Sequence, residues 1–277
     1  MNKCVGLFVA IATFFVTNGA SAREPIGIVL GAAQTVKASG TQGTRVLTKN
    51  DDVFYLDRIS SNGSGSGEFQ FSDGTKLAVG PGASLVVDEF VFKGKSRFDK
   101  LTLSAAKGTF RWISGNSASS AYKIKTPFGT LGVRGTAFDV TIRNGRVYIA
   151  LISGSAKFCA GSVCRTLKRS CDFIVANGRK LSEPENLASA FKNRVAASEA
   201  FPFLANPGRL SSKFRVSGSN CFSRDARNID SGKSQSLARN GTAEPEPEPE
   251  PDPEPHCGFG RDKGVGNEGH GKGQGDS

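Results

Sequence analysis

The sequence predicts a mainly β protein: a short-strand body, β-solenoid-like or sandwich, with one C-terminal helix and a disordered tail. Three observations carry that expectation. Short apolar runs rich in β-branched and aromatic residues recur from Ile26 to about Leu181, separated by turn residues. A single capping-box pattern follows them. The end of the chain is made of Pro-Glu repeats and glycine, which supply neither a helix nor a ladder. At 277 residues with 38% apolar and 22% charged content, the chain can bury one sizeable core or two smaller ones.

Residues 1–22 read as a signal peptide. Lys3 supplies a charged start, Val5 to Val16 an apolar run, and Ala20-Ser21-Ala22 the small-x-small form of a cleavage site. The run falls short of the roughly 20 apolar residues that a bilayer span needs. Cys4 precedes the run rather than closing it, so lipoprotein processing is not indicated. With no second candidate span downstream, the expectation is a periplasmic or secreted protein, cleaved near Ala22, with no transmembrane anchor.

The β body is read strand by strand. Glu68 to Val79 alternates around Phe69 and Phe71, turns at Asp73-Gly74 and resumes at Leu77 and Val79, a hairpin signal. Gly80-Pro81-Gly82 and Asn144-Gly145 mark further turns, and LVVDEFVF (Leu85 to Phe92), GTFRWI (Gly108 to Ile113), FDVTI (Phe138 to Ile142) and VYIALI (Val147 to Ile152) read as strands. The closely spaced glycine bends favour the coil over the sandwich. In GTFRWI, Phe110 and Trp112 share one strand face and Arg111 and Ile113 the other, with Trp112 expected in the core rather than free to stack on a sugar.

Beyond the body, residues 161–230 read as a cysteine-pinned extension. Ser182-Glu183-Pro184-Glu185 predicts a helix over about 183–198, whose stripe of Leu187, Phe191 and Val195 packs on the strands. From Glu244 to Pro255 the tail alternates Pro with acid, predicting a polyproline II spacer of roughly 37 Å at about 3.1 Å per residue. Residues 240–277 as a whole read as this spacer and a disordered glycine-rich tip. The repeat period of calcium-binding nonapeptides is missing from it.

Charge is unevenly placed. The tail from Asn240 carries nine acidic residues against Arg261, Lys263 and Lys272, although the whole chain is +11, so the body is strongly basic. A field of that sign favours anionic partners, among them envelope polysaccharide, without specifying any, and no specific nucleic-acid site is indicated.

Cysteine usage suits an oxidising compartment. Cys159, Cys164, Cys171 and Cys221 remain in the body and Cys257 in the tail. The short turn in CAGSVC favours pairing Cys159 with Cys164, leaving Cys171 for Cys221, although four cysteines allow three connectivities. A four-thiolate zinc site is disfavoured because no C-x-x-C pair is present. Cys257 is left as a free thiol or an intermolecular link.

Catalytic residues are not expected. The two histidines, His256 and His270, lie in the tail, so no Ser-His-Asp or Cys-His arrangement can be built in the body. The acids Asp51-Asp52, Asp57 and Asp88-Glu89 remain for glycosidase-like work. Adjacent acids on a strand point to opposite faces, so neither adjacent pair is expected to converge. Asp52 and Asp57 are read as turn-shaping. No metal or cofactor is expected either. In TPFGTLGVRGTAF (Thr126 to Phe138), Gly135 is followed by strand-like alternation rather than by the lysine and helix of a phosphate loop. Gly129, Gly132 and Gly135 therefore read as backbone glycines, serving close approach or positive φ. Arg134 between them is expected to pair with Glu89, Asp88 or Asp139, or to bond backbone carbonyls.

The segments DDVFYLDRI, GEFQFSDGTKLAVGPGASLVVDEF, KGTFRWISG and YKIKTPFGTLGVRGTAFDV, in this order, resemble the FecR domain family over about residues 27–160. The most specific pieces are FSDGT (with Asp73 and Gly74), the following Gly80, the acids Asp88 and Glu89, and the Gly129, Gly132, Arg134 and Gly135 run. The resemblance implies an extracytoplasmic β module, best known from regulators of iron-uptake signalling, that senses or relays through protein contacts without catalysis. It does not bring anti-sigma activity with it, because a signal peptide stands where such regulators carry a cytoplasmic helical segment and a membrane helix. Two functional expectations follow: a FecR-like sensory or scaffold module binding an extracytoplasmic protein partner in signal transduction, or an envelope-associated binder of anionic surface polysaccharide.

Overall fold

The structure is a computed structural model that describes residues 24–222 apart from 95, 179, 192–193 and 217–220. The signal segment 1–22, the tail 240–277, and with them His256, Cys257 and His270, lie outside the described residues.

Among the described residues, sixteen strands hydrogen-bond into one sheet that is not closed into a barrel. The first seven are β1 (Gly27–Ala33), β2 (Val36–Gly40), β3 (Gly43–Val46), β4 (Asp52–Val53), β5 (Arg58–Ser61), β6 (Ser66–Phe71) and β7 (Lys76–Val79). β6 and β7 form the hairpin around Asp73-Gly74, with Phe69 opposite Leu77 and Gly74 at φ +83°. There follow β8 (Ser84–Phe92), β9 (Phe98–Ile113), β10 (Tyr122–Thr126), β11 (Gly129–Arg143) and β12 (Arg146–Ala160). The set closes with β13 (Val163–Leu167), β14 (Asp172–Asn177), β15 (Lys180–Leu181) and β16 (Glu185–Asn186). The β11–β12 turn places Asn144 and Gly145 at φ +49° and +66°, the left-handed pair that a two-residue hairpin needs.

Three long strands each serve two halves of the sheet. β9 pairs with β8 and β10 through its first half and with β7 and β11 through its second. β11 pairs with β10 before Gly135 and with β9 after it, and β12 passes from β14 to β13. The bend falls where Gly135 (φ +56°) meets Gly154 (φ +83°), so close that a Cβ on Gly154 would lie 2.1 Å from the Gly135 carbonyl oxygen. Strands that turn a corner at glycines in this way let one sheet fold over and enclose its own core. Leu85, Leu103 and Ile124 from one half therefore share an interior with Leu77, Phe110, Trp112 and Phe138 from the other.

Glycine bends favoured a coil in the sequence, but the pairing is that of a folded-over sandwich. Rungs of a coil stack in parallel, whereas among the described residues only β9 and β10 pair in parallel. The bends turn antiparallel strands between layers instead.

The extension covers the outer face of one half. Its helices are α1 (Leu187–Ala190), α2 (Arg194–Ala200) and α3 (Pro202–Ala205). Phe201 and Leu204 pack against Ala137, Ala150, Ile152 and Phe173, and Phe203, Leu210 and Phe214 pack over Ala78. The helix expected over about 183–198 starts late and is short. Ser182 does not cap it, because its hydroxyl accepts from the Val175 backbone at 2.9 Å in the sheet. Glu185 lies in β16, and Asn186 caps α1 by accepting from Ala188 N at 3.1 Å. Disulfides join Cys159 to Cys164 across the β12–β13 turn and Cys171 to Cys221 at the far end of the extension.

Candidate functional site

The FSDGT turn is a buried polar latch. Asp73, 1% exposed, accepts hydrogen bonds from Thr75 N (2.9 Å), Thr75 Oγ1 (3.0 Å), Ser117 Oγ (2.7 Å) and the Tyr122 hydroxyl (2.6 Å). The Gly115 N–H in turn donates to Thr75 Oγ1. The carboxylate thus ties the β6–β7 hairpin to the link between β9 and β10. Burial, and then the hydrogen bond to Asp73, raise the Tyr122 hydroxyl above its ordinary pKa. Every acceptor site on Asp73 that the network reaches is turned inward, so the arrangement holds shape and presents no base to solvent.

Gly80 lies at the crossing of the two halves, donating to the Thr109 carbonyl at 2.8 Å and accepting from the Ser61 hydroxyl at 2.6 Å. The Phe203 ring from the extension would stand 3.2 Å from a Cβ there.

Asp88 and Glu89 correct the expectation that adjacent acids diverge. A register shift between Val87 and Glu89 opens a bulge in β8. Asp88 accepts from Ser104 Oγ at 3.1 Å while Glu89 accepts from Thr102 Oγ1 at 2.9 Å, and Thr102 and Ser104 share one face of β9. The extra residue of a bulge thus turns both acids outward together. Each has a cation: Lys125 reaches Asp88 at 2.6 Å and Lys100 reaches Glu89 at 3.9 Å. The Lys125 hydrogen bond holds the Asp88 carboxyl below its ordinary pKa, and Asp88 raises that of Lys125.

Arg134 pairs with none of the three carboxylates proposed for it. Its guanidinium is exposed, and its backbone N–H donates to Thr136 Oγ1 at 2.9 Å. Asp139, the third candidate, is taken by Arg111. These residues face each other across β9 and β11 and join through Nε–Oδ1 at 2.6 Å and Nη2–Oδ2 at 2.7 Å, both 0% exposed. Their strand neighbours Ala78 and Ala150 are small enough to admit the pair. The extension seals it: the Leu204 backbone lies beside Asp139 and favours its charged form, and Arg111 Nη1 donates to the Phe214 carbonyl at 3.4 Å. Burial pushes the Asp139 carboxyl up, against the pull of Arg111. The alternation in GTFRWI placed Arg111 opposite in parity to Trp112, the only available hint of this pair. Trp112 is 2% exposed and lies against Tyr122 and Phe138.

Of the remaining acids, Asp52 is exposed in β4, where its backbone carbonyl accepts from Arg45 Nη2 at 2.9 Å, while Asp57 and Asp51 shape turns. Asp57 accepts from Arg45 Nη2 at 2.5 Å and from Phe54 N at 2.9 Å, closing the turn before β5, and Asp51 accepts from Thr48. Among the described residues, no group of three or more His, Cys, Asp or Glu side chains is placed to hold a metal ion.

The three glycines of TPFGTLGVRGT differ in cause. A Cβ on Gly129 would lie 2.3 Å from the Cys159 carbonyl oxygen, and Gly135 has positive φ. Gly132 has neither constraint: its nearest neighbour to a Cβ is the Lys157 carbonyl at 3.9 Å.

The family model described as FecR protein matches residues 57–157, from Asp57 at the entrance to β5 to Lys157 in β12. No curated protein matches the chain. Two crystal structures of a candidate anti-sigma factor from Parabacteroides distasonis are similar at 14% identity. One aligns with a TM-score of 0.38 over 49% of this chain and 63% of that one. The other aligns with a TM-score of 0.40 over 54% and 73%.

Proposed function

We propose that the protein is an extracytoplasmic sensory or scaffold module that acts in signal transduction through protein contacts, without catalysis. The FecR match at 57–157, spread over the central strands, carries this reading. Asp57, Asp73, Arg111 and Asp139 are taken up in holding the sheet together, which leaves exposed surface and shape as what the domain offers. Export is supported by the two disulfides, which persist in oxidising compartments. Among the described residues, no helix is long and apolar enough to cross a membrane.

The alternative, binding of anionic envelope polysaccharide, draws on the basic charge alone. The burial of Trp112 removes the one tryptophan from service as a sugar platform.

Cross-linking in intact cells, followed by identification of the attached species, tests the proposal. A stoichiometric extracytoplasmic protein that survives moderate salt is the expected result. Recovery of polysaccharide alone overturns it. N-terminal sequencing of the mature chain checks cleavage near Ala22.

A further inference from the structure

The two outer faces of the sheet are treated differently. One is covered by the extension, which buries Arg111 and Asp139. The other, formed by β10, the start of β11, the end of β12 and β13, carries the exposed residues Lys123, Gly132, Lys157 and Thr166. Register places these four side by side in one row, Lys123 opposite Gly132, Gly132 opposite Lys157 and Lys157 opposite Thr166. Arg134 is exposed two residues beyond Gly132 on the same face of β11. Among the described residues, no carboxylate pairs with Lys123, Lys157 or Arg134, whereas the nearby Lys125 and Lys100 are matched by Asp88 and Glu89.

Gly132 makes the row informative. A glycine inside a strand costs about 0.5–1 kcal/mol relative to alanine. The neighbouring glycines are required by a close approach or by positive φ, but a Cβ at Gly132 would meet only ordinary contact and its φ is not positive. Nor does it stand at the register shift, which falls between Arg134 and Phe138. The fold leaves its bareness unexplained. Bare backbone in a strand commonly marks a place where another chain comes close.

Resting on the protein-contact reading above, we propose that this row is the docking surface for an extended acidic segment of a protein partner. The segment lies over Gly132, with carboxylates on Lys123 and Lys157 and Arg134 as a third cation. The two lysines are two strand spacings apart, about 10 Å. In polyproline II conformation, residues i and i+3 point the same way and are about 9 Å apart. The partner's signature is therefore a run with acids at every third position.

Full-length protein is titrated against a fluorescein-labelled peptide with Glu at every third position and Pro and Ala between. Saturable binding is expected, weakened at least about tenfold by Lys123→Glu/Lys157→Glu. Gly132→Thr should weaken it as much while leaving the melting temperature unchanged or higher, since threonine suits an open strand site. Lys37→Glu/Lys49→Glu, in β2 and just after β3, should change binding by less than about twofold. The surface is overturned if the distant pair weakens binding equally, if Gly132→Thr binds like wild type, or if a polyuronate binds more tightly through the same residues. A photoreactive residue at position 132 separates this from the broader reading. A partner that cross-links elsewhere on the body but not there ends the proposal for this face and leaves protein contact standing; the absence of any protein partner ends both.

Discussion

Arg111 and Asp139 sit directly opposite each other on β9 and β11, joined by two hydrogen bonds with neither side chain reaching solvent. A buried pair of this kind is unforgiving of half-removal, because one partner's loss leaves the other charge uncompensated. Arg111→Met or Asp139→Leu alone should cost about 3–5 kcal/mol, while the double substitution should recover most of it. Denaturant unfolding of all four proteins in a double-mutant cycle measures this. Equal, additive losses would show that the pair acts as two independent residues.

The Asp73 latch predicts a smaller loss. Tyr122→Phe removes one of the four donors to a buried carboxylate and should destabilise by about 1–3 kcal/mol. A thermal melt unchanged by the substitution would contradict the network.

The two disulfides should contribute unequally. Cys171 and Cys221 are 50 residues apart in sequence, Cys159 and Cys164 only 5. Loop-closure entropy assigns about 4 kcal/mol to the first and about 2 kcal/mol to the second. Unfolding of the Cys171→Ala/Cys221→Ala and Cys159→Ala/Cys164→Ala proteins tests the order. The first should also release the extension and quicken amide exchange around Ala150 and Asp139.

Asp88 predicts a pH dependence whose sign is set by its lowered pKa. A carboxyl with a folded pKa below its unfolded value contributes stability above the unfolded value, near 3.9, and loses it as pH falls through the folded one. Both Asp88 and Lys125 are partly solvated, so the contribution is small, and the site-resolved titration is the better readout. Carboxyl carbon NMR should place the Asp88 midpoint below the usual range, and Lys125→Met should move it up.

How much of this was legible in the sequence depended on the distance over which each feature is decided. The β6–β7 hairpin and the Asn144-Gly145 turn are set by alternation and turn chemistry within a dozen residues, and both could be read there. The Cys159 to Cys164 turn is equally local. Asp88 and Glu89 were misjudged because strict alternation fails at a bulge, and nothing in LVVDEFVF announces one. Ser182 looked like a helix cap because its competitor, the Val175 N–H, comes from a neighbouring strand. Arg134 drew the carboxylates on paper, but Arg111 holds Asp139 by standing opposite it, a relation visible only once register is known. What covers that pair comes from residues 204–214, well outside the strands that contain it.

The sharing of β9, β11 and β12 between the two halves bears on where this protein can be cut. The span 57–157 begins after β1 and β2, which cover the edges of β6 and β5, and ends before β14, which covers β12. Expressed alone, that fragment would bare three sticky borders and an ionic couple stripped of its lid, and it should aggregate. The recognisable module is thus smaller than the piece that can stand by itself.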